Sequence, residues 1–185
     1  MLDRLVDLIV NFIELFYFSF VVDEYERGVM LRFGKYHRDL LPGIHFKIPF
    51  RVDVPIVISV VPDATRLQTQ VFTLADGTTV ALTPVLTYRV HNVKKALLEV
   101  EDAETSLHDA TAGAIRRLVS PHPFQDLQSP DKCAEIEMLV TKDIRSEAFK
   151  WGYEVLRVQF PDMVKLKGSY QLFGDQRTST RYIEK

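Results

Sequence analysis

The sequence predicts an α+β domain: a strand-rich first half, then helices, then one returning strand. Three observations carry this. Asp76-Gly77 stands between two β-rich runs, the strongest short-range hairpin signal. Cys133, Ile136, Val140, Ile144, Ala148 and Trp151 recur at helical spacing. After Gly152, residues 153–160 (YEVLRVQF) return to β-branched and aromatic composition. Strands segregated from helices along a chain give an α+β arrangement rather than alternating βαβ units.

The first 22 residues differ from the rest. Residues 23–185 are formally neutral, so the net charge of −2 sits in the N-terminal segment. On a helix at about 100° per residue, Asp3, Arg4, Asp7, Asn11 and Glu14 share one arc. Leu2, Leu5, Ile9, Phe12, Ile13 and Phe16 lie opposite, so residues 1–20 are expected to form an amphipathic helix. The uncharged run after Glu14, Leu15 to Val22, is only eight residues, too short for a span of about 20. An acidic start without a small-residue cleavage site argues against a signal peptide. Two readings stay open for this helix. One is an in-plane membrane anchor through the six apolar residues just named. The other is a helix packed on its own domain or on a neighbouring subunit.

Residues 21–34 are expected to form two short strands around a turn at 26–28, and 36–43 a loop ending in Pro42-Gly43. Residues 44–61, interrupted by Pro49 and Pro55, suggest two edge-type strands. Residues 65–74 and 78–91 form the arms of the Asp76-Gly77 hairpin. Helices are expected over 93–100 and 103–120, the second with Leu107, Ala110, Ala114 and Leu118 on one face. Ser129-Pro130-Asp131 opens the next helix, with proline at its first position, and Gly152 ends it.

Composition narrows the function. With 46% hydrophobic and 26% charged residues the chain is ordinary globular material, and without a basic surplus nucleic-acid binding is not expected. The single cysteine, Cys133, permits no intrachain disulfide and fits a reducing compartment. The five histidines, at 37, 45, 91, 108 and 122, show no metal-ligand spacing, and no phosphate-binding loop or nucleophile elbow is present. No catalytic residue, cofactor or metal site is therefore expected. Cys133 is read as a small buried hydrophobe. Leu40 and Leu41, ahead of Pro42-Gly43, are either tucked inward or form an apolar tip.

The order of motifs is more specific than any one of them. Residues 26–36 (ERGVMLRFGKY) precede 41–50 (LPGIHFKIPF); 73–77 (TLADG), a strand ending Tyr88-Arg89-Val90, the helical IRRLV of 115–119 and the WGYEV of 151–155 follow. This pattern, over roughly residues 20–160, resembles the SPFH or Band 7 domain of stomatins, prohibitins, flotillins and HflK/HflC proteins. The resemblance implies a non-enzymatic, membrane-peripheral or monotopic scaffold. Such domains pack side by side into large oligomers, enclose a membrane microdomain and regulate resident proteins such as a membrane protease or a channel. It also implies that the face carrying Leu40 and Leu41 lies near the membrane.

Most such proteins continue into a long Ala/Glu-rich coiled coil. Residues 161–185 show no such pattern; Val164, Leu166, Tyr170 and Leu172 alternate with polar residues, broken by Gly168 and Gly174. Assembly is therefore expected without a coil; these four residues either add a strand to a neighbour's sheet or belong to a frayed polar terminus. The rival expectation is a soluble structural subunit of a homo-oligomeric shell, its first 20 residues a protein-binding helix.

Overall fold

The structure is a computed structural model that describes residues 19–166. Its elements run β1 (Ser19–Val22), β2 (Glu26–Arg32), β3 (Lys35–Leu40), β4 (Gly43–Phe46), β5 (Asp53–Ser59), β6 (Asp63–Arg66), β7 (Gln70–Thr73) and β8 (Thr79–Val90). Then come α1 (Val93–Leu98), α2 (Ala103–Val119), α3 (Phe124–Gln128), α4 (Pro130–Lys150) and β9 (Tyr153–Lys165). The expected segregation of strands from helices holds. The helix expected over residues 1–20 lies outside the described residues up to 18; its last two residues, Ser19 and Phe20, belong to β1 instead, paired with Phe46 and His45.

All strand pairs are antiparallel. In the first half β1 pairs with β4, and β2 lies between β3 and β5. In the second half β8 is central: β6 and β7 pair with successive parts of it, and β9 pairs with it too. Strict alternation along β8 buries Val80, Leu82, Leu86 and Tyr88. Leu107 and Ile115 of α2 and Val140 and Ile144 of α4 meet them in the main core. A second, small core of Val22, Met30 and Leu40, with Phe20 against it, holds the first half together.

Helix boundaries follow local chemistry. Asn92 caps α1 by accepting the Lys95 N–H at 3.1 Å. Asp102 caps α2 through Thr105 N–H, and Pro130 starts α4. Gly152 ends α4 with φ +86, and its carbonyl accepts the N–H groups of His91 and Asn92 at 2.8 and 2.9 Å. The WG turn is thereby stitched to the end of β8.

Several expectations need correction. The first turn lies at residues 23–25, and Gly28 sits inside β2, where a Cβ would come within 2.3 Å of the Ile56 carbonyl oxygen. That glycine serves strand approach rather than turning. Residues 35–40 are a strand instead of a loop; all but Leu40 are exposed, which erases the apolar alternation that marks most strands. The helix α3 was not anticipated. The last strand runs on to Lys165, five residues past the expected end.

Candidate functional site

The surfaces that could meet a membrane or a partner are built mostly by the first half. In the β1–β4 ribbon, Val21 is opposite Ile44 and Ser19 opposite Phe46. Opposed residues share a face. The inner face, with Phe20 and Val22, covers Met30 and Leu40. The outer face leaves Val21, Ile44 and Phe46 at 64%, 70% and 71% exposure. Apolar side chains grouped this way on a surface mark an interaction site more often than single exposed ones do.

Beyond β4 the chain turns through Ile48, Phe50 and Arg51 into β5. One buried carboxylate organises this end. Asp53 is 6% exposed and takes both Nε and Nη2 of Arg32, at 2.7 and 3.0 Å, and the Ile48 N–H at 3.0 Å. The Arg32 bonds, helped by the Ile48 amide and opposed by burial, bring its carboxyl down to about 2. The Phe33 N–H donates to Val52 O at 2.8 Å, which sets the β2–β3 turn beside the β4–β5 turn. Phe33 and Phe50 project from these turns at 76% and 64% exposure.

Of the two leucines expected at an apolar tip, Leu41 is 62% exposed. Leu40 is not available: it ends β3, paired with Gly28, and is fully buried against Val22 and Met30. The β1–β4 ribbon lies over the end of β3, so Leu40 is covered by Val22 and Phe20. Leu2, Leu5, Ile9, Phe12, Ile13 and Phe16 lie outside the described residues.

The tail residues also differ from expectation. Val164 pairs with Ala81 of the same chain, and the Leu166 N–H donates to Thr79 O at 2.9 Å. The β-pattern of 161–166 is therefore used within the chain's own sheet. Tyr170 and Leu172 lie outside the described residues.

The outer edge of β9, away from β8, is covered by side chains of α4. Phe160 N–H donates to Glu137 Oε1 at 2.6 Å and Val158 N–H to Thr141 Oγ1 at 3.0 Å. Arg145 donates from Nε to Val155 O at 3.1 Å and from Nη2 to Leu156 O at 3.4 Å. Residues 137, 141 and 145 lie one helical turn apart, so one stripe of α4 closes the edge over 155–160.

A cleft of about 260 Å³ opens between the β5–β6 connection and the end of β8. Tyr88 donates to Glu104 there at 2.7 Å, and Arg89 pairs with Glu154. Burial, then the Glu104 bond, raises the Tyr88 phenol. This arrangement ties β8 to α2 and β9, and brings no nucleophile beside a base. Burial likewise raises the Cys133 thiol, which lies half-buried against the main core. Among the described residues no three His, Cys, Asp or Glu side chains are grouped to hold a metal ion, and no helix is long and apolar enough to cross a membrane.

The exposed Phe33, Phe46 and Phe50 were missed as site candidates. The usable signals were local: Phe33 directly before Gly34 in a short turn, and Phe50-Arg51 directly after Pro49.

Comparison with known proteins agrees with this architecture. The profile described as "SPFH domain / Band 7 family" matches residues 20–171. An uncharacterized protein of Methanocaldococcus jannaschii is 28% identical over 143 residues, 77% of this chain and 70% of its own length. Protein HflK of Haemophilus influenzae is 31% identical over 145 residues, 76% of this chain. Stomatin-4 of Caenorhabditis elegans is 28% identical over 150 residues, 77% of this chain. The match spans only 34% of that HflK and half of Stomatin-4. The chain belongs to the SPFH domain / Band 7 family.

Proposed function

We propose that this protein is a non-enzymatic, membrane-associated scaffold that self-associates and organises a membrane region or regulates proteins resident in it. The observation that carries this reading is the apolar outer face of the β1–β4 ribbon, beside the point where the amphipathic first residues join the domain. The similarity to HflK and Stomatin-4, and to Mechanosensory protein 2 of C. elegans at 29% identity over 150 residues, supports placing it with the membrane-linked members of the family. The client is a membrane protein, such as the protease or channel that the family resemblance implies. The domain supplies surfaces and rigidity rather than chemistry.

Residues 1–20 act as the anchor, through Leu2, Leu5, Ile9, Phe12, Ile13 and Phe16; Leu41 is exposed at the other end of the β1–β4 ribbon, beside Gly43 and its partner Val22, and is not part of this contact. Flotation of the full chain with liposomes tests this. The wild type rises with lipid; Ile9→Glu with Phe12→Glu stays at the bottom while its circular dichroism is unchanged, because charges on that face oppose interfacial binding. A double variant that still floats removes residues 1–20 as the anchor. A wild type that never floats favours the soluble-shell reading.

A further inference from the structure

We infer that the turn-bearing end of the first half, where Phe33, Phe46 and Phe50 stand near Lys35, Lys47 and Arg51, docks on a membrane surface that carries anionic lipid. This rests on the membrane reading above. It adds a contact made by the folded domain itself, selective for lipid charge and separate from residues 1–20.

The backbone gives the first reason. Phe33 and Gly34 have φ of +51 and +76; Phe50 and Arg51 have +64 and +60. Left-handed turn positions are suited to Gly, Asn or Asp, and a bulky aromatic residue there is strained. Phe33 is 76% exposed, so burial recovers little of that strain. Strain kept at an exposed turn points to a role outside the fold. It occurs at two turns, and the 2.8 Å bond from Phe33 N–H to Val52 O sets them side by side. Phe46, 71% exposed, joins them: its carbonyl accepts from Arg38 at 3.1 Å, and its register partner is Ser19. The amphipathic segment therefore enters the domain at this same end.

Charge gives the second reason. From Arg32 to Asp53 the chain carries five Lys or Arg against two Asp, within a protein of net charge −2. Asp53 is paired with Arg32, which leaves Lys35, Arg38, Lys47 and Arg51 against Asp39, whose carboxylate accepts from the Tyr36 hydroxyl at 3.1 Å. Lys35 and Arg51 are exposed and Lys47 is half-buried. Aromatic rings bordered by a surplus of cations on the folded domain suit the headgroup level of an anionic bilayer. A symmetric pairing of two such ends would set like charges against each other, which disfavours a second copy as the occupant.

The test uses the full chain with vesicles of phosphatidylcholine alone, and with part of it replaced by phosphatidylserine. The wild type is expected to bind the anionic vesicles roughly tenfold more tightly or better, a preference that shrinks as salt rises. Lys35→Glu with Arg51→Glu erases the preference and leaves binding to the neutral vesicles. Phe33→Asn with Phe50→Asn weakens binding to both vesicles without lowering the melting temperature, because Asn tolerates the left-handed turn. Equal binding to both vesicles, with neither double variant having an effect, overturns this docking and leaves the membrane reading standing. No binding to either vesicle overturns both. Loss of oligomer mass in the variants, with vesicle binding intact, makes the surface an interface between copies and also overturns it. A melting temperature clearly lower for the Asn pair removes the strain argument and the inference with it.

Discussion

The Thr141 hydroxyl accepts the backbone N–H of Val158 at 3.0 Å while donating to the Glu137 carbonyl at 2.7 Å. One side chain thus closes a sheet edge and stays satisfied within its own helix. Thr141 is 8% exposed, so neither bond is replaced by water. With Glu137 and Arg145, it makes the edge of β9 over residues 155–160 unavailable for strand addition. Any assembly of this domain has to use other surfaces.

Thr141→Val keeps the shape of the side chain and removes the acceptor. The Val158 N–H is then buried without a partner, at a cost of about 1–3 kcal/mol. Urea denaturation should show the midpoint fall without a change in slope. Thr141→Ser should recover most of the loss, since its hydroxyl makes the same bonds. A Val variant as stable as the wild type would mean that the edge is closed by other groups.

The second half of the fold was legible in the sequence because its elements are amphipathic at one period each. The hairpin at Asp76-Gly77, Pro130 and Gly152 all act locally, and each stands where its chemistry requires. The first half was less legible because its strands pair without alternating. Five of the six residues of β3 are exposed, so no period-2 pattern separates that edge strand from a loop. Gly28 illustrates the same limit: its role depends on Ile56, nearly thirty residues away, and no local rule reaches that far. The family motifs carried the domain, yet they did not distinguish Leu40 from Leu41. Packing against Val22 and Met30, which are distant in sequence, buries Leu40, while Leu41 lies just past the strand and stays exposed.

Gly152→Ala tests the link between α4 and the end of β8. Its φ of +86 disfavours a side chain, and a Cβ would lie 2.4 Å from Asn92 O and 2.9 Å from Ala96 N. These contacts are backbone, so relief requires the α4–β9 turn and the start of α1 to move apart. The expected cost is about 2–4 kcal/mol. Differential scanning calorimetry should record a melting temperature lower by roughly 5–15 °C for a chain of this size. An unchanged transition would show that the junction is loose.

Asp53 makes stability depend on pH. Its carboxyl titrates near 2 in the folded protein, below the ordinary value of 3.8. A depressed value means that the unfolded chain binds the proton more readily. The contribution is therefore fully present above about pH 4 and is lost as the pH falls toward 2. Asp53→Asn should lower stability at pH 7 and flatten the decline between pH 4 and 2. Thermal melts of both proteins across that window would check it. A decline of the same size in both would assign the acid sensitivity to other carboxylates.

Self-association is the last expectation, and the covered β9 edge makes it specific. The full chain in mild detergent should give a multimer by light scattering at micromolar concentration. Head-to-tail contacts between identical domains close into rings or extend as filaments, so a defined mass or a concentration-dependent one are both accounted for. Strand addition by the tail is restricted, because β9 up to Lys165 already pairs with β8 and its outer edge is covered to Phe160. What it retains is the outer edge beyond Phe160, together with Tyr170 and Leu172. A chain ended at Phe160 would be a poor comparison, since it strips the pairing of Val80–Thr83 with Asp162–Lys165 and weakens the domain itself. A chain ended at Leu166 keeps that pairing. It should retain the multimer if the faces of the domain carry assembly, and fall to a monomer if Tyr170 and Leu172 do. A monodisperse monomer from the full chain, well above micromolar, would remove self-assembly altogether.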